Sequence, residues 1–124
     1  MSRAAMSVFV FSIYLYLLGL MLVAFPNSLL ALFPIPTTSE VWIRVVGMLV
    51  LIIGLYYTTA ARHELAPMLR ATVVGRFAVL VFFIGFVAAG FAPPILIAFG
   101  LIDAAAATWT GIALRARPGG REAQ

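Results

Sequence analysis

Apolar residues run along this chain in four long blocks, and short connections between them hold most of the polar groups. The blocks cover about 4–25, 41–60, 71–92 and 95–114. Each is close to the ~20 residues with which a helix crosses ~30 Å of hydrocarbon. In a bilayer, backbone polar groups must be satisfied within a helix or a closed barrel. No alternating run of about ten residues, the mark of a barrel strand, is visible, so the blocks predict helices. Pro26 closes the first block and Pro93-Pro94 the third, while Arg115 and Arg117 follow the fourth. The first block is longer than the roughly 7–15 residues of a signal-peptide core, and no Ala-x-Ala site follows it. It reads as a retained span.

The expected fold is therefore all-α: an integral membrane bundle of four transmembrane helices forming one domain, 1–124. The first connection, 26–40, has a pattern of its own. Asn27 or Ser28 can cap a short turn that carries Leu29, Leu30, Leu32 and Phe33, and Pro34 and Pro36 end it. This predicts a short interfacial helix on the outer side. Trp42, Tyr56 and Tyr57 fall where an aromatic belt would meet the membrane surface.

Composition agrees with the pattern. Hydrophobic residues make up 65% of the 124 and charged residues 10%, and mean hydropathy is +1.15. A soluble domain is about half apolar and about a quarter charged. The net charge of +4 comes from eight basic residues, all of them arginine. They are scattered without interleaved aromatics, which gives no nucleic-acid footprint. The bilayer is the expected partner. Arg3, Arg62, Arg70, Arg115, Arg117 and Arg121 fall at the N-terminus, the second connection and the C-terminus, and the other two connections carry no basic residue. The positive-inside rule then predicts a multi-pass inner-membrane protein with both termini cytoplasmic.

Missing residue types narrow the chemistry. The chain has no Cys and one histidine, His63, in a polar connection. Thiolate chemistry, a Cys-ligated metal and a bis-histidine haem are excluded within one chain. The acids Glu40, Glu64, Asp103 and Glu122 are widely dispersed, and no nucleotide-binding glycine loop or nucleophile elbow is present. No catalytic residue, metal site or cofactor is expected, and enzyme chemistry is not the favoured reading.

Candidate function then rests on polar residues within the spans. Arg44, Arg76 and Asp103 are costly there, about 2.5–3.5 kcal/mol each on insertion scales, and such residues usually face the bundle interior with a partner. Helix rise puts Asp103 roughly 12 Å from one boundary and Arg76 roughly 8 Å from the other. Arg44 lies about one turn inside the second span. Small and polar residues form one face on every span: Ser12, Tyr16 and Gly19; Arg44, Gly47, Leu51, Gly54 and Thr58; Thr72, Arg76, Phe83, Val87 and Gly90; Gly100, Ala104, Ala107 and Gly111. Two readings follow. Arg44, Asp103 and Arg76 line a cavity for a polar-headed lipophile or an ion, or Asp103 is simply the counter-ion of one arginine. The second is simpler, with Arg76 the first choice of partner and Arg44 the next. Tyr56, Tyr57, Arg76, Thr108, Trp109 and Thr110 would likewise hold a lipid or quinone headgroup, or form an interfacial belt.

The Arg44-x-x-Gly47 start and Gly54-Leu55-Tyr56-Tyr57 end of the second span, with Asp103 and Trp109-Thr110 in the fourth, carry a resemblance. The chain resembles the DoxX-like group of small bacterial four-helix membrane proteins and its neighbouring families over nearly its whole length. That resemblance implies the fold, and an association with quinol-oxidase complexes or membrane redox stress; it transfers no catalytic residue. Three function classes are carried forward. The first is a small non-enzymatic membrane protein, as an accessory subunit or a binder of a lipophilic molecule. The second is a small transporter or channel, built as a homo-oligomer. The third is a subunit of a larger, quinone-linked redox complex.

Overall fold

A computed structural model describes residues 1–33 and 35–116; Pro34, Arg117 and Arg121, used in the sequence argument, lie outside them. The described chain is all-helical. α1 runs Arg3–Ala24, α2 Pro26–Leu32, α3 Trp42–Arg62, α4 Ala66–Ala88 and α5 Ile95–Ala116. By length and composition α1, α3, α4 and α5 can each cross a membrane. They run antiparallel in sequence, so the bundle has a termini end, where α1 begins and α5 stops, and an α2 end.

Local chemistry sets the breaks. Ser2 caps α1 by accepting from the Ala5 N–H at 3.1 Å. Phe25 precedes a proline and leaves helical geometry, and Pro26 opens α2, where its missing N–H costs nothing. The expected Asn27 or Ser28 cap does not form. Asn27 instead clips the following loop, donating from Nδ2 to the Thr38 carbonyl at 3.0 Å and accepting from the Thr38 N–H at 2.9 Å. α4 also differs from the expected 71–92, starting five residues earlier and stopping four earlier. Pro67 favours a helix start there. Gly90 adopts φ +81, ending α4 ahead of Pro93-Pro94, with the Phe91 N–H bonded to the Phe86 carbonyl at 2.9 Å.

Packing divides the spans into two pairs. α1 lies mainly on α3, α4 lies mainly on α5, and α1 also meets α5. In lipid, apolar side chains gain little by meeting each other, so close backbone approach and interhelical hydrogen bonds carry association. A Cβ on Gly47 would sit 2.9 Å from the Gly19 carbonyl oxygen, and one on Gly19 would sit 2.9 Å from the Gly47 oxygen. Gly54 accommodates the Tyr16 ring, and Gly100 lets the Leu80 backbone come close. The two pairs are joined at the termini end, where Ala4, Ala5, Val8, Ala60, Ala61, Leu69 and Ala113 form a small-residue core.

Candidate functional site

The polar residues of the spans resolve into two separate places. The first is a node around Arg76, which is only 1% exposed. Its Nε donates to the Thr72 carbonyl at 3.0 Å, and its Nη2 donates to the hydroxyls of Thr72 and Thr110, both at 2.9 Å. Thr110 shares a 2.6 Å hydrogen bond with Ser7 of α1. The guanidinium lies 5.0 Å from the centroid of Phe11 and 5.8 Å from that of Tyr57, so aromatic faces from α1 and α3 complete its shell. Nη1 is buried without a hydrogen bond. One side chain of α4 thus gathers all four spans.

The second place is a cavity of about 240 Å³ in the α2-end half of the bundle. All five helices contribute to it. Leu18 and Leu22 of α1, Leu30 of α2, Val46 of α3 and Val79 of α4 make greasy walls. Tyr14, Phe33, Phe83 and Phe99 add aromatic rings, and Phe33 and Phe99 meet edge to face at 5.0 Å. Asp103 is the one charged residue in the wall. It lies eight residues past Ile95 on α5, hence ~12 Å along the span. Among the described residues its carboxylate takes part in no hydrogen bond and no ion pair.

Among the described residues Asp103 forms no direct ion pair with Arg76 or Arg44, the two expected partners, and helix direction explains why. A helical Cα–Cβ bond tilts toward the helix N-terminus. The N-terminus of α4 is at the termini end, so Arg76 leans that way, to Thr110. The N-terminus of α5 is at the α2 end, so Asp103 leans into the cavity. Their charges attract across the bundle, but the side chains lean apart. Arg76 also lies ten residues, ~15 Å, from the start of α4 rather than five, because the helix starts at Ala66. Arg44, near the start of α3, leans outward too; it is exposed, and its Nη1 donates to the Val23 carbonyl in the last turn of α1. A cation there complements the helix dipole.

The remaining candidates scatter. Tyr57 joins the Arg76 node. Tyr16 bonds Thr58 at 2.8 Å and belongs to the α1–α3 contact. Tyr56 and Trp109 are exposed, as is Thr108, whose hydroxyl returns to the Ala104 carbonyl at 2.8 Å. The supposed cluster of Tyr56, Tyr57, Arg76, Thr108, Trp109 and Thr110 thus reduces to Tyr57, Arg76 and Thr110. Sequence reasoning missed Ser7, Phe11 and Tyr14, although spacings of four and three put them on one face. It missed Phe99 too, which lies four residues before Asp103 and so shares its face. Comparison of the chain with protein-family models, curated proteins and solved structures finds no match.

Proposed function

We propose that this protein is a non-enzymatic membrane protein that binds a lipophilic molecule, and that the cavity at its α2 end is the binding site. The carrying observation is the cavity itself, about 240 Å³ with almost wholly apolar walls and a single carboxylate. Cavities of about 150 Å³ with apolar linings already take up benzene-sized molecules. Leu29 and Leu30 of α2, with Phe33 and Ile35 after it, form part of the wall. Native mass spectrometry from mild detergent tests the reading. Wild type should carry a small apolar adduct, and Leu18→Trp, which fills the cavity, should lose it with the fold retained. An adduct unaffected by Leu18→Trp would sink the proposal.

The same reading includes a place among the DoxX-like proteins, on the motif residues given above, and a bacterial inner-membrane location. Arg3, Arg62, Arg70 and Arg115 belong to the termini end, which supports a cytoplasmic position for that end. Reporter fusions at Gln124 and after Thr38 should then give opposite signals; the same signal from both would reject this topology. A small oligomeric transporter is the second reading, favoured by a carboxylate that reaches a cavity inside a span.

A further inference from the structure

The cavity has a chemistry as well as a size, and that chemistry selects a ligand class. An ionised carboxylate in apolar surroundings is costly unless it meets a positive charge or a donor. Neither arginine of the spans meets Asp103 directly among the described residues: Arg76 attracts it across the bundle but donates to Thr110, and Arg44 donates to Val23 outside the cavity wall. The other distinctive lining groups are the rings of Tyr14, Phe33, Phe83 and Phe99. Aromatic faces attract cations, most strongly where water is excluded, and their pairing with an acid is a means of recognising organic ammonium groups. A phospholipid headgroup fits poorly, because the wall holds no cation to meet its phosphate.

We propose that the cavity takes a small hydrophobic organic ammonium, with its positive charge at Asp103 and its apolar body among the aromatic rings. This rests on the reading of the cavity as a binding site and adds the charge of the ligand.

The test uses two probes of the same shape, phenyltrimethylammonium and its neutral isostere tert-butylbenzene. Binding is read from thermal stabilisation of the whole protein in one detergent, at matched micellar concentrations. The cation should act at about tenfold lower concentration than the isostere. Asp103→Asn should remove that preference while still binding the neutral probe. Phe99→Leu, which keeps the charge, should reduce the preference several-fold. Leu18→Trp should bind neither probe. Equal binding of both probes by wild type would overturn the ammonium assignment and leave a lipophile site standing. Failure of both probes on wild type would remove the binding site as well. Should Asp103→Asn not fold, Phe99→Leu and Tyr14→Leu carry the same comparison, and an undiminished preference in both would overturn the proposal.

Discussion

The two ends of the bundle use opposite solutions to placing a charge inside a membrane span. At the termini end Arg76 is enclosed by hydroxyls, a carbonyl and aromatic faces, and small residues close the helices around it. At the α2 end Asp103 makes no hydrogen bond or direct ion pair among the described residues and borders the cavity. The first arrangement ties Arg76 to its own helix through Thr72 and to α5 through Thr110. The second leaves its polar group without a hydrogen bond or direct ion pair among the described residues. Enclosure marks structure here, and the carboxylate beside a cavity is where the proposed ligand would bind.

That contrast can be broken most severely at the backbone contact within the α1–α3 pair. Gly47→Leu should cost about 3 kcal/mol or more, because Cβ meets the Gly19 carbonyl and no rotamer relieves it. Unfolding in a single detergent should show the loss, and a stable Gly47→Leu protein would mean that this pair does not pack closely. Gly54→Leu and Gly100→Leu should follow in the same direction.

The comparison sharpens with one substitution at each end. Arg76→Ala should destabilise by about 2–4 kcal/mol, since it opens a void and strips Thr72 and Thr110 of their shared donor. Asp103→Asn should cost less than about 1 kcal/mol, as it breaks no hydrogen bond or ion pair within the described protein. Equal losses from the two variants would erase the distinction between an enclosed and an available charge.

The smallest effects belong to α4. A Cβ on Gly75 or Gly85 would meet nothing within 4 Å. Gly75→Leu and Gly85→Leu should change unfolding by no more than about 0.5 kcal/mol. A loss comparable to that of Gly47→Leu would reveal a packed surface where the structure has an open one.

The spans were legible because hydrocarbon thickness and backbone satisfaction leave a long apolar block few alternatives. The small-residue faces were readable in part: Gly47, Gly54, Gly100, Ala104 and Ala107 are buried, whereas Arg44 is exposed and Gly90 is exposed beyond the end of α4. Less could be read of which charges meet. Depth along a span follows from counting, but it neglects the tilt of side chains toward each N-terminus. That tilt carries Arg76 and Asp103 apart on antiparallel helices. Nor could counting find a cavity, whose walls come from all five helices. Pro67 just inside the start of α4 and Gly90 just past its end moved the helix along the sequence, and with it the position of Arg76 within the helix.

The sources of the contacts around Arg76 also bear on synthesis. Ser7 and Phe11 belong to the first span made, Tyr57 to the second, Arg76 itself to the third and Thr110 to the last. As the polypeptide leaves the ribosome, the earlier aromatic faces are available as soon as the arginine arrives, whereas its hydroxyl partner on α5 is still to be made. The guanidinium can complete its shell only when the fourth span has entered.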